Sequence, residues 1–117
     1  MGKLTTHVLD TAAGRPAAGL ALELSVLREG AWTKLASLRT NADGRTDRPL
    51  LEGAALVAGQ YRIVFDVAAY FRAQGVPLPD PPFLDRVPLR FGIADPTANY
   101  HVPLLCSPWS YSTYRGS

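Results

Sequence analysis

Leu20-Ala21-Leu22-Glu23-Leu24-Ser25-Val26 is the clearest period of two in the chain. Leu20, Leu22, Leu24 and Val26 share one face, as in a half-buried strand and unlike the 3.6-residue period of a helix. Glu29-Gly30 follows as a turn, and Trp32 to Thr40 runs back as the partner strand of a hairpin. The same alternation recurs on both sides. Leu4 to Asp10 sets Leu4, Thr6 and Val8 against Thr5, His7 and Leu9, and Gln60 to Val67 sets Tyr61, Ile63, Phe65 and Val67 against Arg62, Val64 and Asp66. Val87 to Ile93 alternates again, with Pro88 pointing to a sheet edge or a bulge. Tyr100 to Ser107 and Trp109 to Arg115, separated by Pro108, form a closing pair of strands.

The intervening segments carry turn and breaker chemistry. Thr11 to Gly19 is read as a loop, and Arg48 to Ala58 as irregular chain around Gly53. In the tight turn Asn41-Ala42-Asp43-Gly44-Arg45, Gly44 supplies a positive φ and Asn41 or Asp43 bonds the local backbone, which would hold Arg45 at a defined place. Ala68 to Gln74 is the one expected helix, closed by Gly75. Pro77, Pro79, Pro81 and Pro82 exclude helix and central strand from Val76 to Phe83. About seven or eight short strands and one short helix make an all-β protein, most simply a β-sandwich.

Composition bounds the function. At 117 residues the chain reads as a single domain, residues 1–117. A chain of that length buries roughly two thirds of its unfolded surface. The net charge is only +2 and the ten arginines and two lysines are scattered, so no footprint for nucleic acid is visible. The single cysteine, Cys106, lies in an apolar run and is expected as a core thiol in a reducing compartment. No apolar leader and no stretch near 18 apolar residues is present, so neither export nor a membrane span is expected and the placement read from sequence is cytoplasmic.

Both histidines, His7 and His101, sit mid-strand on the less apolar face. The usual fate of one strand histidine is a hydrogen-bonded structural role; two on a solvated face suit proton transfer near neutral pH. A catalytic zinc site takes three protein ligands, and neither a third histidine nor paired cysteines exist, so no metal and no cofactor is expected. Ser107, Ser110, Ser112 and Ser117 cluster near the C-terminus without a nucleophile-elbow pattern, which favours activated water over an acyl-enzyme. The terminal Trp109-Ser110-Tyr111-Ser112-Thr113-Tyr114-Arg115-Gly116-Ser117 alternates aromatic and hydroxyl side chains. It reads either as a half-buried edge strand packing on the core or as part of a site.

Three stretches resemble the 5-hydroxyisourate hydrolase family of transthyretin-like proteins: Leu4 to Thr11, the turn Asp43-Gly44-Arg45, and Tyr100 to Leu105 continuing through Ser107-Pro108 to Tyr111–Ser117. The terminal Tyr-Arg-Gly-Ser is the most specific mark, since the related hormone carrier transthyretin lacks it. The resemblance implies a sandwich of two four-stranded antiparallel sheets with one short helix. It also implies a homotetramer, a dimer of dimers whose active sites lie in a channel at the dimer–dimer contact. By position His7, Arg45, His101 and Ser117 correspond to catalytic residues, and His7, Arg45, Tyr114, Arg115, Gly116 and Ser117 to substrate-binding ones. The implied reaction is hydrolysis of 5-hydroxyisourate to 2-oxo-4-hydroxy-4-carboxy-5-ureidoimidazoline, by histidine-activated water with arginine stabilising charge, and either histidine can be the base. Loss of Gly116 and Ser117, or a C-terminal tag, is expected to abolish most activity. The competing reading is a transthyretin-type carrier of a small ligand without catalysis. Asn99 stands where many relatives carry histidine and Cys106 where they carry an aliphatic residue.

Overall fold

The alternating segments pair into two sheets. The computed structural model describes residues 2–116. Its strands are β1 (Lys3–Asp10), β2 (Arg15–Pro16), β3 (Ala21–Arg28), β4 (Ala31–Arg39), β5 (Leu51–Glu52), β6 (Gly59–Asp66), β7 (Arg86–Ile93), β8 (Tyr100–Cys106) and β9 (Tyr111–Thr113), with α1 (Val67–Ala73) between β6 and β7. One sheet is ordered β2-β1-β8-β9 with β5 paired to the start of β1, and the other is ordered β4-β3-β6-β7. The inner faces meet in one apolar cluster. Leu22, Leu24 and Val26 of β3 and Tyr61, Ile63 and Phe65 of β6 face Leu4 and Val8 of β1 and Tyr100, Val102, Leu104 and Cys106 of β8.

The sandwich expected from the alternation is present, with two refinements. The two-residue strands β2 and β5 make one sheet five-stranded, and they fall in segments read as loop and as irregular chain, respectively. Every pair is antiparallel except β1 with β8, which runs parallel over Leu4 to Asp10. That pair joins opposite ends of the chain, so no hairpin turn dictates its direction, and period-two patterning is the same for either direction.

Local chemistry closes the other elements. Helix α1 begins one residue before the expected Ala68 and ends in a Schellman motif: Gly75 N–H donates to the Arg72 carbonyl and Val76 N–H to the Phe71 carbonyl. The helix is tied to β1 by Tyr70, whose hydroxyl donates to Asp10 Oδ2 at 2.8 Å, while Ala13 N–H donates to Asp10 Oδ1 at 2.9 Å. Asp10 is thereby buried with both oxygens engaged. Burial and the Asp10 carboxylate push the Tyr70 hydroxyl up to about 12. Pro88 lies in β7, an edge strand, where a missing N–H is tolerated.

The terminal stretch corrects an expectation. Its strand is only Tyr111–Thr113, all three residues are exposed, and Trp109 and Tyr114 are 60% and 62% exposed. β9 is a sheet edge with β8 as its one neighbour. Between it and β7 an apolar pocket of about 220 Å³ stays open, lined by Leu89, Phe91, Tyr100, Val102, Thr113 and Tyr114 among others. Among the described residues no layer covers Tyr111 and Tyr114, so the half-buried reading fails.

Candidate active site

The parallel β1–β8 pair builds the site. Its register sets Thr5 opposite His101 and His7 opposite Pro103. Strand side chains alternate, so the residues between core positions—Thr5, His7 and His101—share the outer face. The two imidazoles lie with ring centroids 6.5 Å apart and planes tilted by 40°. Both rings are half-buried. Thr5 Oγ1 lies 2.8 Å from His101 Nδ1, which orients that ring and leaves Nε2 for other partners.

The 41–45 turn delivers the arginine. Asn41 N–H donates to the Arg45 carbonyl and Gly44 N–H to the Asn41 carbonyl, and Asn41 Oδ1 accepts from the N–H groups of Asp43 and Arg45. Asn41, rather than the Asp43 carboxylate, therefore organises the loop. The turn docks on β1 through Val8 N–H to the Gly44 carbonyl at 2.8 Å, and Arg45 pairs with His7 as an antiparallel bridge. Gly44 is required twice: its φ is +75°, and a Cβ there would run into the Val8 carbonyl oxygen and the His7 ring.

The C-terminal segment approaches from the opposite side. Gly116 N–H donates to the His101 carbonyl at 2.7 Å. A Cβ on Gly116 would fall 2.7 Å from His101 Cδ2, so the backbone reaches the imidazole only because the residue is glycine. Ala98, Asn99, His101, Tyr114, Arg115 and Gly116 line one open depression. Arg115 turns towards its outer wall: Nη2 donates to the Asn99 carbonyl at 3.1 Å and the guanidinium stands 4.2 Å above the Tyr100 ring. Asn99 falls just before β8 and uses Oδ1 to accept Lys3 N–H. Ser117 lies outside the described residues.

Electrostatics favour the neutral form of His101. Burial lowers its pKa below the ordinary 6.5, and the charges of Arg45 and His7 lower it further. His101 is therefore neutral near pH 7, with a lone pair to offer. Cys106 lies on the core side of β8, and burial, with a smaller contribution from Asp10, pushes its thiol up to about 12, far from a nucleophile's range. Among the described residues no three His, Cys, Asp or Glu side chains converge as metal ligands, and no helix is long and apolar enough to cross a membrane.

The structure thus brings His7, Arg45, His101 and Gly116 together, with Tyr114 and Arg115 at the same depression. Thr5 was not singled out from sequence. Alternation puts it on the face of His7, but its contact with His101 needs the β1–β8 register.

A two-sheet sandwich with a histidine pair and a turn arginine on the outer face of one sheet is a transthyretin-like architecture. The chain belongs to the HIUase/Transthyretin family, whose sequence profile matches residues 4–116. It is 62% identical to the 5-hydroxyisourate hydrolase of Ralstonia nicotianae over 100% of both chains. Among solved structures it resembles Klebsiella pneumoniae 5-hydroxyisourate hydrolase, with a TM-score of 0.81 and 37% identity over 100% of both chains. It also resembles (S)-allantoin synthase, with a TM-score of 0.94 and 46% identity; there 99% of this chain spans only 44% of the other.

Proposed function

We propose that residues 1–117 act as one transthyretin-like domain that hydrolyses 5-hydroxyisourate to 2-oxo-4-hydroxy-4-carboxy-5-ureidoimidazoline. The observation that carries this reading is the meeting of His7, His101 and Arg45 on one face, with the imidazole centroids 6.5 Å apart and the Arg45 charge helping to keep His101 neutral. Full-length similarity to proteins named for that activity supports the choice of substrate.

The chemistry is addition of water to a ring carbonyl next to nitrogen, followed by cleavage of that C–N bond. His101 Nε2 removes a proton from water as its oxygen bonds to the carbonyl carbon, with Nδ1–H donating to Thr5 Oγ1. Arg45 stabilises the negative charge on the carbonyl oxygen with two parallel N–H donors, a geometry lysine lacks. When the tetrahedral intermediate collapses, the C–N bond breaks and the nitrogen takes a proton from imidazolium. His7 orients the substrate against Arg45, Tyr114, Arg115 and Gly116 form the opposite wall, and Ser117 takes part in the reaction as the family resemblance implies. The reaction consumes only water, so no cofactor enters.

The site is shallow in one protomer, and the exposed Tyr111 and Tyr114 lack a covering layer. A homotetramer, assembled as a dimer of dimers with this sheet facing a channel, closes it. The deciding experiment generates 5-hydroxyisourate in situ and follows its disappearance. Acceleration well above the spontaneous decay is expected, and loss of that acceleration in His101→Asn. A wild-type protein that leaves the spontaneous rate unchanged would refute the proposal in favour of a ligand carrier.

A further inference from the structure

The sheet facing away from His7 and His101 carries three cations in one row. Lys34 pairs with Ser25, Ser25 with Arg62, and Arg62 with Arg90, so the row crosses all four strands of the β4-β3-β6-β7 sheet. These positions alternate with the core residues Leu24, Ile63 and Leu89 and therefore lie on the outer face. Like charges directly opposite one another on neighbouring strands repel. The two ion pairs among the described residues both belong to Arg86, with Glu23 and Asp66, and leave Lys34, Arg62 and Arg90 without a carboxylate partner.

Trp32 holds the arginines together. Its ring lies 4.6 Å from the Arg62 guanidinium carbon and 5.1 Å from that of Arg90. Ser25, on the same outer face, is only 5% exposed beside these side chains. Arg90 Nη2 donates to Gln60 Oε1 at 3.1 Å, whereas Arg62 Nε is buried and has no acceptor in the protein. Arg62 is thus held in place with no protein acceptor for Nε, and an oxyanion is the partner that the planar forks of two adjacent guanidinium groups match best.

We propose that Lys34, Arg62 and Arg90, set around Trp32, bind a small oxyanion bearing two or more negative charges. Three cations outmatch a single carboxylate, and two neighbouring guanidinium forks suit an anion with several acceptor oxygens. Phosphoryl groups and polycarboxylates share that chemistry. The site lies on the sheet opposite the hydrolytic one, so its occupant stabilises the protein without entering the reaction.

The test uses Trp109→Phe protein, in which Trp32 is the one remaining tryptophan of two. Pyrophosphate and citrate are titrated separately at constant ionic strength, reading Trp32 fluorescence and the thermal midpoint. Saturable fluorescence change and a rise in Tm are expected for at least one of them, and the tighter ligand identifies the phosphoryl or polycarboxylate source. In the Arg62→Gln, Arg90→Gln double variant both responses should vanish while hydrolysis of 5-hydroxyisourate continues at its normal rate. Should that variant fail to fold, Arg90→Gln alone, on the edge strand, should weaken binding at least tenfold. The proposal is overturned if neither anion gives saturation into the tens of millimolar. It is equally overturned if sodium chloride reproduces the response, or if the arginine variants keep it.

Discussion

At the scale of single residues, His101 is governed by what surrounds it. Burial and the Arg45 charge lower its pKa, so the acid limb of the pH–rate profile should lie below the ordinary 6.5 of histidine. Arg45→Gln removes a cation and should move that limb to higher pH, besides lowering the rate on the order of 100-fold. Titration of the His101 ring protons by NMR checks the shift separately from the rate; an unmoved pKa would detach Arg45 from His101. The same depression affects stability. Below pH 6.5 the unfolded chain takes up this proton first, so the contribution of His101 to stability is complete above 6.5 and is lost as pH falls through the lowered folded value. Thr5→Val deletes the partner of Nδ1 while keeping the side-chain volume. It should lower kcat about tenfold with little change in KM, and Thr5→Ser should restore most of it. Gly116→Ala pushes a methyl group against His101 Cδ2 and should cost on the order of 100-fold in kcat/KM with Tm preserved.

At the scale of elements, the site depends on how β1 is clamped from both sides. The 41–45 turn lies along it through Val8 and His7, and α1 is pinned to its far end by the Tyr70–Asp10 bond. Tyr70→Phe leaves a buried carboxylate oxygen without its donor. It should cost about 1–3 kcal/mol in urea unfolding, with the hydrolytic rate at saturating substrate intact. A loss of activity matching the loss of stability would mean that the clamp also sets the site's geometry. β9 behaves differently. Three exposed residues at a sheet edge contribute little to the core, and the reach of the segment to Gly116 is what places its backbone against His101.

At the scale of the whole molecule, two observations suit the proposed tetramer. Trp109 and Phe83 stand exposed with ring centroids 5.9 Å apart, and the pocket between the β7 and β9 edges is open and apolar. Surfaces of this kind belong at interfaces. Sedimentation equilibrium should give four times the chain mass, and dilution that releases monomers should remove activity in parallel. A fully active monomer would contradict a site closed by assembly. The basic row around Trp32 lies on the face of the sandwich away from the histidines.

Much of this was legible in the residue order. Period-two patterning located the long strands because a strand must send alternate side chains to core and solvent, and that logic holds without knowing any partner. Asn41 to Arg45 announced its turn because only glycine accepts the backbone it requires. The same alternation put His7 and His101 on outer faces, and resemblance to a family joined them to Arg45. Local pairs such as β3–β4 and β8–β9 were legible, but pairing between strands distant in the chain was not: parallel and antiparallel neighbours carry the same pattern, so the contact of Thr5 with His101 and the five-stranded sheet emerged only from the packed structure. The terminal Trp109 to Gly116 segment shows the boundary most clearly. Its composition matched a half-buried strand, yet burial depends on what lies opposite, and no layer of the described residues covers Tyr111 and Tyr114.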